Sequence, residues 1–293
     1  MKYSVLMSVY KNEKVEYFIQ AVDSLLNQTI LPDQIVLVRD GAVYEELQNV
    51  IDKYVSDYPN IFTYLPLEQN GGLGNALRYG LTYCRNELVG RMDTDDISVS
   101  DRFEKQLEFI KNNPDVDIVG GNISEFVNDP TKIVNYRIVP QSHEGIVQYL
   151  KNRSPFNHPT VMFKKGSLER VNSYERFYLF EDWYLWLKLY LAGAIFANMG
   201  QILVNMRISG QAKRRGGMKY YRSCVKLLKY MKENRIIGMG TYIKNRIVRF
   251  CGYVLLPDKM REWAYKKFLR KKIKNLGEAI KNENTSYREI QSR

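Results

Sequence analysis

The stretch ELVGRMDTDDIS, residues 87–98, decides how the chain is read. Its first half, ELVGRM (87–92), is a short apolar run of the kind that fills a buried strand, and its second half sets Asp93, Asp95 and Asp96 within four positions. Carboxylates this close repel one another and cost stability unless something positive stands among them. A helix cap explains part of the pattern, since Asp96, Ser98 or Ser100 could cap the helix predicted by DRFEKQLEFIKNN (101–113). A cap uses one acid and leaves the others exposed to each other. A divalent cation with oxygen preference, Mg2+ or Mn2+, would use them together.

Outward from the acids the chain alternates two periodicities. Upstream, YSVLMSV (3–9), QIVLV (34–38) and IFTYL (61–65) read as strands. Between them lie VEYFIQAVDSLLNQ (15–28), with Phe18, Val22, Leu25 and Leu26 on one face, a helix over 44–56, and GGLGNALRYGLTYC (71–84), a helix opened by glycines. Downstream, Phe103, Leu107 and Ile110 align on the helix at 101–113, and VDIVGG (116–121) closes the series as a strand. Strands alternating with helices of this length predict an α/β fold with a mostly parallel sheet and right-handed crossovers, in which ligands bind beyond the carboxyl ends of the strands. The three acids stand at such an end. From 122 to 206 the pattern loosens, with strands expected near 122–127 and 133–139 and a loop through RSPFNHPTVMF (153–163). In FEDWYLWLKLYLAGAIFANM (180–199), the charges of Glu181, Asp182 and Lys188 and the break at Gly193 favour a buried helix and strand over a membrane span.

A chain of 293 residues, 45% hydrophobic and 26% charged, fits one sizeable soluble domain with an appendage. The net charge of +12 is uneven: residues 1–212 carry 21 Lys and Arg against 26 Asp and Glu, residues 213–274 carry 20 against 3, and residues 275–293 carry 3 against 3. A basic appendage on a mildly acidic body points to a polyanionic surface, anionic lipid or nucleic acid. RISGQAKRRGG (207–217) reads as a basic loop, beyond which Tyr, Leu, Ile and Phe interleave with Lys and Arg at helical spacing to about 274. Cys84, Cys224 and Cys251 have neither disulfide nor zinc spacing and are expected reduced and buried. Two histidines, His143 and His158, disfavour an imidazole-rich site. The chain enters a strand pattern at once, without a signal-peptide core, so cytoplasmic residence is expected.

Six motifs in order complete the reading: SVYKNE (8–13), VRDG (38–41), QNGGLGNALRYG (69–80), RMDTDD (91–96), NHPTVMF (157–163) and FEDWYLWLK (180–188). Together they make residues 3–215 resemble a family 2 glycosyltransferase of the GT-A fold, especially the bacterial enzymes that build capsular, exopolysaccharide or O-antigen units. The resemblance implies a Rossmann-like, mostly parallel sheet flanked by helices over 1–212, followed by a basic helical region over 213–293. Asp93-Thr94-Asp95 matches the family's DxD motif, so Asp95 would ligate Mn2+ or Mg2+ at the nucleotide diphosphate and Asp93 would face the ribose or the metal. Ser8 and Tyr10 match the first-strand motif that meets the base, and Glu13 is counted with them as nucleotide-binding. Asp40 matches an acid that accepts from the base; a carboxylate can accept from the N3–H of uracil, which favours UDP. Asn75 is the polar candidate on the Gly-opened helix. Asp182 matches the catalytic base of the family's ED motif, with Glu181 beside it. His158 matches a position near donor or acceptor, and Arg214 and Arg215 resemble a basic lid over the diphosphate.

Each residue also has a plainer use. Tyr10 can be a half-exposed aromatic, the glycines a turn before a core helix, and His158 a structural residue. Arg214 and Arg215 can belong to a solvated linker. Glu181 and Asp182 can be charges that favour a helix N-terminus, while Phe180, Trp183 and Trp186 would partly desolvate Asp182 and raise its pKa. The resemblance implies inverting transfer of a sugar from a UDP-sugar to a hydroxyl of a polyprenyl-diphosphate-linked glycan. The basic region would then rest on the anionic inner face of the cell membrane, a solvated hairpin or a dimerisation element being its other uses. A sugar-1-phosphate nucleotidyltransferase shares such a sheet but resembles a pattern with a Gly-rich basic loop where this chain has VYKNE. Nucleic-acid binding by the basic segment leaves the acidic body's constellation without a purpose.

Overall fold

Alternation within the first strand sets up two cores. The computed structural model describes residues 1–208, 215–261 and 263. In β1 (Tyr3–Val9), Tyr3, Val5, Met7 and Val9 face one side and Leu6 the other; β2 (Gln34–Asp40) repeats this with Ile35 and Leu37 against Val36 and Val38. Helices α1 (Val15–Leu26), α2 (Glu45–Asp57) and α4 (Arg102–Asn112) cover the first side with Phe18, Leu25, Ile51, Phe103 and Leu107. The second side is covered by α3 (Leu73–Tyr83), α5 (His143–Leu150), α6 (Lys165–Glu169), α7 (Glu181–Leu191) and α8 (Gly217–Glu233). Among the described residues no helix is long and apolar enough to cross a membrane, and the 180–199 stretch divides as expected into α7 and the start of a strand.

Among the described residues the sheet has nine strands, ordered β3 (Phe62–Leu67), β2, β1, β4 (Leu88–Arg91), β8 (Met162–Lys164), β6 (Ile118–Phe126), β9 (Phe196–Arg207) and β5 (Ile97–Ser98), with β7 (Ile133–Arg137) beside β6. From β3 to β4 every pair is parallel. Beyond β4 the sheet is mixed: β8 runs antiparallel to β4 and β6, β6 pairs parallel with β9, and β5 returns antiparallel to β9. The α/β, GT-A-type arrangement is therefore a parallel half joined to a mixed half.

Three expectations are corrected. The strands expected at 116–121 and 122–127 are one continuous buried strand, β6, whose register with β9 shifts around Asn122. Gly120 and Gly121 read as a strand end, but they serve close packing: a Cβ on Gly121 would stand 2.5 Å from Leu203 Cδ1. Secondly, none of Asp96, Ser98 and Ser100 caps α4; β5 intervenes, and Asp101 occupies the cap position without a side-chain cap bond. Thirdly, Cys84 and Cys224 are buried but Cys251 is exposed.

The basic segment is not wholly an appendage. Its first helix, α8, puts Tyr220, Cys224, Leu227, Leu228 and Met231 into the second core. The next, α9 (Met239–Phe250), has no buried residue and continues into a π-helical turn over Cys251–Leu255.

Helix α3 approaches the sheet most closely at Gly80, where a Cβ would stand 2.6 Å from both Leu6 Cδ1 and Val38 Cγ2. Gly80→Val is therefore expected to lower the unfolding free energy by about 1–3 kcal/mol. Urea unfolding measures it; an unchanged midpoint would show that α3 can lift from the sheet without cost.

Candidate active site

The parallel register brings three strand ends together. Ser8 pairs with Val38 and Leu6 with Arg91, so Tyr10, Asp40 and the acid turn at 93–96 all leave the sheet at one rim. Ser8 and Tyr10 are partly exposed there. Asp40 is buried, and its carboxylate organises the neighbouring loop. Oδ1 accepts from Gly71 N at 2.7 Å, while Oδ2 accepts from Gly72 N at 2.9 Å and Asn70 Nδ2 at 3.0 Å. Gly72 sits at φ +86°, a conformation side chains rarely adopt, and opens α3. Asn75 is exposed one turn on and donates back to Gly71 O at 3.0 Å.

Glu13 is buried beneath the acid turn. Its oxygens accept from Thr94 Oγ1 and from Lys14 N, so it fastens the first loop to the DxD segment, and burial raises its pKa. Carboxylate oxygens of Asp93, Asp95 and Asp96 lie within 4.8 Å of one another. Burial and the charges of Asp93 and Glu13 push Asp95 up to about 7. Asp96, fully buried, is pushed well above the usual range by desolvation and by Asp95 and Asp93. Its Oδ1 accepts from Arg207 N at 2.8 Å, and its buried Oδ2 has no partner.

Two arginines that sequence reasoning missed hold this turn. Arg91, buried at the end of β4, pairs with Asp93, while its Nε and Nη1 are buried without partners. Arg207, at the end of β9, donates from Nε to Asp95 O (3.1 Å) and from Nη1 to Asn128 O (3.2 Å), and its guanidinium lies 3.7 Å from the centre of the Tyr17 ring. A third, Arg102, donates to Arg91 O at 2.9 Å, and its burial lowers its pKa to about 9. A basic residue beside an acid motif is the available signal for Arg91. Nothing local marks Arg207, which lies 111 residues from the Asp96 it contacts. The acid set, oxygen-only, mutually repelling and holding an unpartnered buried oxygen, fits a hard divalent cation.

The second acid pair opens α7. Leu179, at φ +57°, turns the chain sharply so that Glu181 and Asp182 fall in the first helical turn, where the helix dipole favours carboxylates. Asp182 Oδ2 accepts from Ser154 Oγ at 2.9 Å. Desolvation, expected at Asp182, is found instead at Glu181, which burial pushes up to about 7. His158, in a one-turn 3-10 helix, meets Tyr174 Oη at 2.9 Å and the edge of Trp186 at a centroid distance of 6.0 Å. Burial and the Arg91 charge hold His158 well below its ordinary pKa, so the ring is neutral.

Tyr174 links the clusters: its hydroxyl lies in the fields of Arg91, Asp182, Asp93 and Glu181 together. The His158–Tyr174 pair thus lies within electrostatic reach of both the acid turn and the start of α7. Arg215 stands exposed before α8, in the field of Tyr220, which stacks on Phe180 with centroids 4.8 Å apart. Arg214 lies outside the described residues.

With this geometry in view, the chain was compared with known proteins. The sequence profile of Glycosyl transferase family 2 matches residues 4–176. The chain is 42% identical over 272 residues to UDP-Gal:alpha-D-GlcNAc-diphosphoundecaprenol beta-1,3-galactosyltransferase of Escherichia coli, covering 92% of this chain and 97% of that one. It is 35% identical over 269 residues to the amylovoran biosynthesis glycosyltransferase AmsE of Erwinia amylovora, covering 90% and 98%. Among solved structures, S. aureus TarS 1-349 in complex with UDP-GlcNAc superposes with a TM-score of 0.64 at 16% identity, over 94% of this chain and 77% of that one, which bears on the fold alone. Profile, relatives and fold agree with the two acid clusters: the chain belongs to glycosyl transferase family 2.

Proposed function

We propose that this glycosyltransferase moves a sugar from a UDP-sugar to a hydroxyl of a polyprenyl-diphosphate-linked glycan, with inversion at the anomeric carbon, at the inner face of the membrane and with Mn2+ or Mg2+. The observation that carries the reading is the acid turn itself, three carboxylates within 4.8 Å of one another at the carboxyl end of β4, held by Arg91 and Arg207. A diphosphate at the first cluster would set its sugar before the second. Donor and acceptor classes are those named for the Escherichia coli relative.

Asp93 and Asp95, with Asp96 behind them, would hold the cation, which when bound supplies positive charge to the diphosphate leaving group. The protein's own residues do the rest. Tyr10 offers a ring face to the base, and Asp40 keeps one lone pair on Oδ1 after bonding the Gly71 loop, enough to accept one base N–H. Ser154 occupies Asp182 Oδ2, leaving Oδ1 to take the acceptor's proton as the new bond forms on the face opposite the departing diphosphate. A sugar hydroxyl is far less acidic than a carboxylic acid, so that transfer comes late. Glu181, in its protonated fraction near and below pH 7, can donate a hydrogen bond to the sugar, and neutral His158 orients Tyr174. Arg215, with Arg214 before it in the sequence, would answer charge on the diphosphate.

Incubation with a panel of UDP-sugars, Mn2+ and a polyprenyl-diphosphate-linked acceptor tests the reading through UDP release and extension of the lipid. No release from any UDP-sugar would refute the donor assignment. Asp182→Asn is expected to lower transfer by about 10²–10⁴-fold with UDP affinity unchanged; a large loss of UDP affinity by calorimetry would contradict its role as base. Asp95→Ala should abolish the EDTA-sensitive part of UDP binding, and wild-type UDP binding indifferent to EDTA would count against the metal.

Glu181 adds a pH signature. Its folded-state pKa of about 7 lies above the ordinary 4.5, so between these values the folded chain holds a proton that the unfolded chain has lost. Stability contributed by this group is therefore present at low pH and declines as pH rises through that window. Glu181→Gln should gain stability relative to wild type between pH 5 and pH 8 in urea unfolding with EDTA present. A constant difference would contradict the raised pKa.

A further inference from the structure

Helix α9 turns an apolar stripe outward. Met239, Ile243 and Ile247 follow at four-residue spacing and are 55%, 50% and 60% exposed, and Leu255 and Trp263, at 62% and 56%, carry apolar surface past the helix. Lys244 and Arg246, both exposed, border the stripe on its two sides. From 235 to 261 the sequence has Arg235, Lys244, Arg246, Arg249, Lys259 and Arg261 against a single acid, Asp258, which Arg261 pairs. An exposed apolar stripe on a helix marks an interaction surface, and the cations beside this one select the partner. A second copy would set cations against cations. An anionic bilayer supplies the complementary charge and an apolar layer into which such a stripe sinks by about 5–10 Å.

The inner side of α9 is tied to the start of α7. Arg249 lies 5.1 Å from the Trp183 ring centroid, donates to Tyr253 Oη at 3.1 Å and bonds Asn152 O. Trp183 follows Asp182, and Asn152 is two residues from Ser154, which bonds Asp182. Tyr253 packs edge-on against Tyr220, which stacks on Phe180.

We infer that the outer face of α9, continued by Cys251–Leu255, docks the protein on an anionic bilayer and holds the acceptor end of the site near the headgroups; its use, though not the docking, rests on the lipid-linked acceptor proposed above. Docking needs no transmembrane segment. It sets the catalytic carboxylate at the depth where the first sugars of a lipid-linked glycan emerge.

The test is co-sedimentation of the full chain with vesicles of phosphatidylcholine alone or mixed with phosphatidylglycerol. Binding is expected to the mixed vesicles only, and the Ile243→Asp, Ile247→Asp double variant should bind at least about tenfold less. Its far-ultraviolet circular dichroism and slow donor hydrolysis should match wild type, since neither residue touches the site. Lys244→Glu with Arg246→Glu should lose the phosphatidylglycerol preference. Undiminished sedimentation of the double Asp variant overturns the inference. So does a wild-type chain that ignores both vesicles, or one whose gel filtration shows a dimer broken by the same substitutions while vesicles go unbound. Vesicle binding without UDP release from any donor would uphold the docking face and refute the donor assignment alone.

Discussion

Arg207 stands more than a hundred residues from the acids it secures. Its backbone N–H bonds Asp96, its Nε bonds the carbonyl of Asp95, and its guanidinium lies between Tyr17 and Phe126. From the other side Arg91 pairs with Asp93, itself held by Arg102 through its carbonyl oxygen. These groups hold three carboxylates within 4.8 Å of one another, with Asp95 and Asp96 pushed toward their protonated forms by burial and mutual repulsion. Arg91 is buried and Asp93 29% exposed, so losing the acid would strand a buried charge at a cost below that of breaking a fully buried pair, about 3–5 kcal/mol. The turn is thus retained against its electrostatics, and two β-strands that are distant in sequence share the work of retaining it. Everything else at the rim is positioned by that anchoring, including the Glu13–Thr94 bond that seats the first loop.

The same constraint orders the second cluster. Arg91 has donors that Asp93 does not use, and its charge reaches His158, Tyr174 and Glu181. Burial dominates at all three groups; this cation adds to it in keeping His158 neutral and opposes it at Tyr174 and Glu181, where it favours the ionised forms. On the far side, the left-handed residue Leu179 costs about 1–2 kcal/mol and redirects the chain into α7 with its acids foremost. Strain of this size next to paired carboxylates is the pattern of a functional turn.

What was legible in the sequence was what depends on neighbours along the chain. Strand and helix periods in residues 3–113 gave the parallel half of the sheet, and the acid run, the Gly-opened helix and the ED pair marked the rim because each is a local concentration of unusual residue types. Residues whose meaning comes from the fold were not legible. Arg207 looks like the edge of a basic loop, yet it is a buried clamp. Ser154 sits in an unremarkable loop, yet it orients Asp182. Asp40 was read as a contact for the base, whereas its geometry shows that it first builds the loop at Gly71 and Gly72. The single long strand β6 was divided by its glycines, because a residue that fits close packing and one that ends a strand look the same in one dimension.

The basic excess of residues 213–274 divides in the same way. Read as composition it is one polyanion site; in the fold part of it faces inward or is paired with acids at the surface. Arg249 lies against Trp183 and Tyr253, Arg261 pairs with Asp258, and Lys229 with Glu233. The charge offered outward is smaller than the count, and attraction of about 1 kcal/mol per exposed cation near an anionic surface yields only reversible contact. Apolar insertion must supply the remainder, at about 25 cal/mol per Å² of surface withdrawn from water. That division gives the exposed isoleucines of α9 a purpose which solvation does not, and it explains why a helix whose inner side packs on the core through Tyr242 also keeps an apolar face outward.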